Sequence, residues 1–204
     1  MKKLIAATLA ATTAVVPIET QASTLEDHVS LARAIESTGI TLKINPVECG
    51  TKDGKVYGWY WAAKQEMVVC QEHGRPGGPI VKWTEEDLDT LRHEAQHLIQ
   101  DCMDGELDGR LQSVYKYPIV LGLDVIGPDG VASVSRVYHD AGSNVIIMEI
   151  EAFAVAAMND PLEQVQDIGK YCFWWWEGLT PSLFCVIIKG RTQGNHTLFC
   201  KWPS

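Results

Sequence analysis

Residues 84–102 read TEEDLDTLRHEAQHLIQDC, and this stretch decides how the fold is interpreted because it predicts the best-defined helix of the chain. Thr84 with Asp87 three positions on is typical of an N-terminal capping box, and acidic residues at 85–87 favour the positive end of the helix dipole. The helix is expected to end near Cys102, before Gly105. Apolar side chains recur at helical spacing along it: Leu88, Leu91, Ala95 and Leu98.

The centre of this helix carries an HExxH motif, His93-Glu94-Ala95-Gln96-His97. One turn is about 3.6 residues, so His93 and His97 lie on one face and can reach a single zinc ion at about 2.0–2.1 Å. Glu94 is then placed to contact a water on the metal and is the candidate general base. The alternative interpretation is an exposed helix face with two histidines and a salt-bridged glutamate.

A catalytic zinc needs a third protein ligand. Residues 143–158, SNVIIMEIEAFAVAAM, are apolar almost all round and predict a buried helix with two carboxylates, Glu149 and Glu151. These are about 200° apart around a helix, so only one can face the ion. Glu151 is preferred because Ala154 and Val155 leave room for close approach, whereas Glu149 meets the bulkier Phe153.

Other interpretations of these residues stay open. Either glutamate can instead form a buried salt bridge, for example to Arg92 or Arg136. His73 and His139 are weaker candidates for the third ligand, because a lone histidine in a loop is more often a surface residue.

The order of motifs resembles the zincin metallopeptidases of the glutamate-ligand type, particularly small secreted ones. The resemblance covers about residues 45–158 and rests on CG at 49–50, GWY at 58–60, MVVC at 67–70, HEAQH at 93–97 and EAFA at 151–154. It implies His93 and His97 as ligands, Glu94 as base and Glu151 as third ligand. It also implies a strand, at 56–61 or 67–70, that pairs with extended substrate. The oxyanion stabiliser stays open among Tyr115, Tyr117, Tyr138 and His139.

Around these motifs we predict a single α+β domain of zincin-like architecture, with a small antiparallel or mixed sheet. Residues 24–38 predict a helix, again with a capping box, and 40–44, 56–61 and 67–70 predict short strands. The segment 104–142 gives no firm assignment, with 119–126 as a candidate strand. Residues 172–200 are expected to be rich in β-structure.

The N-terminus predicts export. Two lysines, an apolar run at 4–16 and the small-residue end at Ala22 follow the order of a signal peptide, so residues 1–22 are assigned to it and 23–204 to the mature domain. The apolar run is shorter than the about 20 residues of a spanning helix, and no later stretch reaches that length without charges. An N-terminal anchor helix is the alternative. A secreted or periplasmic protein without a membrane span is expected.

All six cysteines follow the signal segment, which in an exported chain indicates up to three disulfides. Cys49 with Cys70 and Cys185 with Cys200 are the favoured pairs, because each pair flanks a predicted hairpin. No CxxC spacing is present in the sequence, so a cysteine zinc site or a thioredoxin-type redox pair has little support.

Composition and charge limit the function. Hydrophobic residues at 46% and charged residues at 21% are those of a folded globular chain, and a net charge of −9 disfavours nucleic acid as a partner. The predicted function is a secreted zinc-dependent peptidase acting on a peptide or protein substrate. The alternative is a non-catalytic, disulfide-stabilised binding or structural protein with a zincin-like frame, using Trp174, Trp175 and Trp176 as its contact surface.

Overall fold

The computed structural model describes residues 24–50 and 56–173. The predicted signal peptide, the three consecutive tryptophans, the pair Cys185 and Cys200, and nearly all of the predicted β-rich segment lie outside the described residues.

The described residues form an α+β arrangement of helices and one small sheet, with short 3₁₀ turns between some of the elements. The helices and strands, in chain order, are α1 (Leu25–Ser37), β1 (Thr41–Ile44), β2 (Gly58–Trp61), β3 (Glu66–Val69), α2 (Glu85–Asp101), α3 (Pro118–Val125), α4 (Gly127–Val137), α5 (Ser143–Met158) and α6 (Pro161–Tyr171).

The sheet is mixed, with the strand order β1-β3-β2. Strand β1 runs parallel to β3, with Leu42 opposite Met67, and β2 runs antiparallel to β3, with Trp59 opposite Val68. The short turn between β2 and β3 makes an antiparallel hairpin, whereas the longer path from β1 allows a parallel pair. Strand β3 is central in the described sheet, where Met67, Val68 and Val69 are all buried, and β1 and β2 lie at its two edges.

Both predicted capping boxes are present. Thr24 and Asp27 close the start of α1, and Thr84 and Asp87 close the start of α2, each pair with reciprocal side-chain to backbone hydrogen bonds. Helix α5 also has the bounds expected from its apolar sequence. Local sequence therefore fixes where these three helices begin.

The candidate strand at 119–126 is wrong, because residues 119–125 belong to helix α3 and Ile126 caps its C-terminus. A short apolar run is ambiguous between strand and helix, and here Pro118 at the first helical turn favours the helix. Packing against α5 also favours the helix. A Cβ on Gly122 would overlap Cγ2 of Ile150, so only glycine allows α3 and α5 to approach this closely.

Helix α2 is the central element, packed by α1, α5, α6 and the strands β2 and β3. Every residue of α2 from Thr90 to Asp101 is buried, so its polar face is enclosed as well as its apolar stripe. The apolar stripe joins the main core, whose fully buried members include Leu31, Ile35, Met67, Leu91, Leu98, Ile99 and Ile168.

Two disulfides join the described elements. The predicted pair Cys49–Cys70 is confirmed, and Cys102–Cys172 connects the end of α2 to the end of α6. Within the ranges that the structure covers, no helix combines the length and the apolar character needed to cross a bilayer.

Candidate metal centre

Three ionisable side chains of the HExxH motif are buried in the polar face of α2. The exposed fractions of His93, Glu94 and His97 are 8%, 6% and 7%. Groups of this kind lose their hydration on burial and need partners to compensate. The partners of these three side chains therefore show whether this face of α2 can form a metal site.

The two histidines and Glu149 converge on one point. Nε2 of His93 lies 3.2 Å from Nε2 of His97. The Glu149 carboxylate reaches both, with Oε2 at 3.3 Å from His93 Nε2 and Oε1 at 3.5 Å from His97 Nε2. Ligands held at about 2.0–2.1 Å by a tetrahedral zinc are about 3.3–3.4 Å from one another. The two imidazole nitrogens have this spacing, and one ligand atom from each of the three side chains lies within 4.8 Å of the others.

Glu151 is the carboxylate that the sequence favours as third ligand, but the structure places Glu149, and not Glu151, beside the histidines. The rotation of about 200° between them was the correct constraint, but Phe153 does not block Glu149. Its ring instead packs on the His93 imidazole, with centroids 4.3 Å apart. Phe153 therefore lies on the same face as Glu149, one turn along α5, and covers the site.

Glu151 is fully buried in a separate polar cluster. Its Oε1 accepts hydrogen bonds from Nε2 of Gln96, Nε2 of Gln100 and the backbone N–H of Val114. Its Oε2 accepts from the Ser113 hydroxyl and the backbone N–H of Tyr115. The carboxylate thus holds the 113–115 loop against α2 and α5.

The remaining candidates lie elsewhere. His73 is exposed, and His139 is exposed and pairs with Asp140 at 2.9 Å. Arg92 forms no salt bridge to either glutamate of α5, because its guanidinium binds His28 and the Ala156 carbonyl and pairs with Glu85 and Asp89, as the described residues show. The salt-bridge alternative for Glu149 therefore involves the two histidines alone.

Glu94 lies between this cluster and the sheet. Its carboxylate accepts the backbone N–H of Tyr60, and a Cβ on Gly58 would lie 3.2 Å from its Cγ, so β2 runs directly over it. Burial raises the pKa of Glu94, while the charges of His93 and His97 act to lower it. A carboxyl group of raised pKa accepts a proton more readily than a free one.

Glu149 and His97 hold opposite charges in the metal-free cluster. Burial alone would raise the pKa of Glu149, but the adjacent His93 and His97 imidazoles outweigh it and hold that pKa well below its usual range. Burial likewise opposes charge on His97, but the Glu149 and Glu94 carboxylates raise its pKa to about 9. A cation that binds here must displace that proton.

The donor set fits a divalent cation. Oε2 of Glu149 is buried and accepts no hydrogen bond from the residues that the structure describes, although it lies 3.3 Å from Nε2 of His93. Two histidine nitrogens and one carboxylate are a known zinc set that leaves a fourth position open. His93, His97 and Glu149 are therefore the residues that could hold the metal.

Tyr138, at the end of α4, borders the site. Burial raises the pKa of Tyr138 most, and the negative charge of Glu149 and a hydrogen bond to its carboxylate raise it further. Of the other candidates, Tyr117 is exposed and Tyr115 contacts Glu151 through its backbone. Tyr138 is the one of the four that contacts the metal cluster.

An apolar cavity of about 340 Å³ opens beside the cluster, between α4 and α5. Its walls include Tyr138, which contacts Glu149, and Phe153, which packs on His93. The remaining lining residues are Ile126, Gly130, Ser133, Val134 and Val137. The cavity and the metal cluster thus share two walls.

Sequence reasoning missed the roles of Glu149, Gln100 and the α4 cavity. Gln100 lies three residues after His97, a spacing at which helix neighbours touch, so this contact was open to inference. No protein-family model matches the chain, and neither the curated proteins nor the solved structures include a significant match.

Proposed function

We propose that this protein is a secreted zinc-dependent metallopeptidase whose metal ligands are His93, His97 and Glu149. The convergence of two imidazole nitrogens and the Glu149 carboxylate, whose ligand atoms all lie within 4.8 Å of one another on side chains from two helices, carries the proposal. Zinc, when bound, lowers the pKa of a coordinated water to about 7 and polarises a carbonyl. The zincin-like fold and the exported location belong to the same proposal.

Glu94 is the general base of this proposal. Its carboxylate adjoins both histidines, and the Tyr60 N–H orients it. It takes the proton of the attacking water and delivers it to the leaving amine. Tyr138 is protonated at neutral pH, as an ordinary tyrosine is. Its hydroxyl, which bonds the Glu149 carboxylate in the metal-free protein, would become the hydrogen-bond donor to the carbonyl oxygen once that carboxylate binds zinc and negative charge develops on the substrate.

An extended peptide is the substrate class with most support. Strand β2 lies at the sheet edge and crosses Glu94, so it, rather than the central β3, is the strand for pairing with a substrate backbone. The cavity bounded by Tyr138 and Phe153 suits an apolar side chain close to the scissile bond. We therefore expect cleavage next to a bulky apolar residue.

The experiment measures zinc content and peptide cleavage on the protein purified with its disulfides formed. About one zinc per chain and cleavage of a mixed peptide library are expected, with cleavage lost on chelation and restored by zinc. Absence of stoichiometric zinc would overturn the proposal. Zinc without cleavage of any peptide would favour the alternative, a secreted binding or structural protein.

A further inference from the structure

We propose that Gln100 and Glu151 position the metal ligand His97 through a chain of buried hydrogen bonds. Nδ1 of His97 lies 2.8 Å from Oε1 of Gln100, and Nε2 of Gln100 donates to Oε1 of Glu151 at 3.0 Å. Gln100 and Glu151 are both fully buried. The inference rests on the proposed metal centre, since it concerns how one ligand of that centre is held.

The orientation of the Gln100 amide follows from its partners. Its Nε2 donates to two acceptors, the Met148 carbonyl at 3.0 Å and the Glu151 carboxylate. A carbonyl oxygen has no proton to give, so the NH₂ group must point to these two and Oε1 must face His97. The side chain cannot turn over without losing both bonds inside a dry core.

Glu151 is itself fixed as an acceptor. The backbone N–H groups of Val114 and Tyr115 can only donate, and each lies 3.1 Å from one of its oxygens. Gln96, which lies on the same helix as Gln100, donates to the Glu151 carboxylate at 3.0 Å. These donors set the carboxylate firmly where the amide of Gln100 needs an acceptor.

This chain determines the tautomer of His97. Because Oε1 of Gln100 is an acceptor, Nδ1 of His97 carries the proton and donates it. In the neutral ring that binds a metal, the lone pair is then on Nε2, the atom that faces His93 and Glu149. Outer partners that fix a ligand in this way are typically worth about 10–100-fold in metal affinity.

The other histidine is held differently. Nδ1 of His93 is buried and bonded to none of the described residues, and its ring is instead packed by Phe153. His97 is therefore the ligand that a hydrogen-bond chain pre-orients. Glu151, the buried carboxylate with the most donors around it, acts on the site without reaching it.

The test compares Gln100→Met with Gln96→Met. Both replace a buried glutamine of α2 that donates to Glu151, and methionine keeps the length of the side chain. Only Gln100 also contacts His97. Zinc affinity is measured by competition with a chromophoric chelator, and the metal environment by the visible absorption spectrum of the cobalt-substituted protein.

We expect Gln100→Met to weaken zinc binding by about 10–100-fold and to alter the cobalt spectrum. Gln96→Met should lose a similar amount of thermal stability yet bind zinc within about threefold of wild type, below the range for an outer partner of a ligand. Equal affinity of Gln100→Met and wild type overturns the inference and leaves the metal centre standing. A wild-type protein that binds no zinc overturns the metal centre as well.

A second variant covers the case in which Gln100→Met does not fold. Glu151→Gln keeps the shape of the side chain but brings an NH₂ group against the donors around it. A weaker zinc affinity than that of Gln96→Met supports the chain, because the acceptor for Gln100 is disturbed. An affinity equal to that of Gln96→Met overturns the role of Glu151.

Discussion

Phe153 of α5 packs its ring on the imidazole of His93 of α2, with centroids 4.3 Å apart and planes inclined by 55°. Phe153 also lies one turn beyond Glu149, which faces the same histidine. The contact thus links the helix that supplies the carboxylate to the helix that supplies both imidazoles, and it separates them from the α4 cavity.

Replacement of the Phe153 ring should weaken packing around the metal centre without removing a metal ligand. Phe153→Leu is expected to lower the free energy of unfolding by about 1 kcal/mol, since it exchanges one apolar group for another and loses the ring contact. Zinc should still bind stoichiometrically, while the preference for the apolar residue next to the cleaved bond should change. Denaturant unfolding and peptide-library cleavage measure the two effects. An unchanged preference would place the substrate side chain elsewhere.

Glu94→Gln should abolish cleavage and keep the metal. Removal of a general base costs about 10²–10⁴-fold in rate, and the substituted amide side chain would still fill the space under β2. The matched control is Glu86→Gln, which removes one exposed negative charge from the first turn of the same helix. Peptide turnover and zinc content are measured on both variants. A Glu94→Gln protein with wild-type turnover would exclude this base.

Glu149 and Glu151 should show opposite effects when each is changed to alanine. Glu149→Ala is expected to lose stoichiometric zinc because it removes a ligand. Glu151→Ala is expected to cost about 3 kcal/mol or more of stability, because it leaves several buried donors unsatisfied. Zinc titration and denaturant unfolding of both metal-free proteins separate the two roles. Zinc retained by Glu149→Ala and lost by a folded Glu151→Ala would restore Glu151 as the ligand.

The metal-free protein should lose stability as pH rises from about 6.5 to about 9. The His97 pKa is raised to about 9 in the folded protein, from about 6.5 in the unfolded chain. Its contribution to stability is therefore complete below about pH 6.5 and is lost as the pH rises through about 9. The Glu149 pKa is lowered, so its contribution is present above about 4.3 and disappears only in stronger acid. The Tm of chelator-treated protein is measured against pH.

Glu149→Gln provides the reference for this titration. The variant lacks the carboxylate that supports the charge on His97, so its decline between about pH 6.5 and 9 should be much smaller. Subtracting its curve from that of wild type removes the contributions of other groups, such as His28, whose pKa is lowered by burial. Parallel curves would contradict the coupling between Glu149 and His97.

The two described disulfides should differ in their effect on stability. Cys102–Cys172 closes a sequence separation of 70 and Cys49–Cys70 one of 21. In the chain-entropy account, their removal by paired alanine substitutions costs about 4 and about 3 kcal/mol respectively. Denaturant unfolding at fixed pH measures both losses. A larger loss for Cys49–Cys70 would indicate that native packing, rather than loop length, determines the effect.

Local signals predicted three of the six α-helices among the described residues, namely α1, α2 and α5. The capping boxes of Thr24 and Thr84 and the apolar sequence of α5 each fix a helix without help from the rest of the fold. The segment 119–126 failed because a short apolar run carries no period that distinguishes helix from strand, and packing of Gly122 on Ile150 decided it. The mixed sheet likewise depends on pairing between distant segments.

The site was predictable as far as the motif extended. The spacing within HEAQH places His93, Glu94 and His97 together, since one helix determines it. The choice between Glu149 and Glu151 depended on how α5 is rotated against α2, which no single helix encodes. Side-chain bulk favours Glu151, but Phe153 packs on His93 and does not block Glu149.

The enclosure of α2 from Thr90 to Asp101 limits where the protein can vary. A stretch of helix with no outward face tolerates few replacements, because each one disturbs either the core or the ionisable cluster. Selectivity for different targets would then have to be adjusted at the periphery, on α4 and along the outer border of β2. Directed libraries aimed at new cleavage preferences should be confined to those two borders.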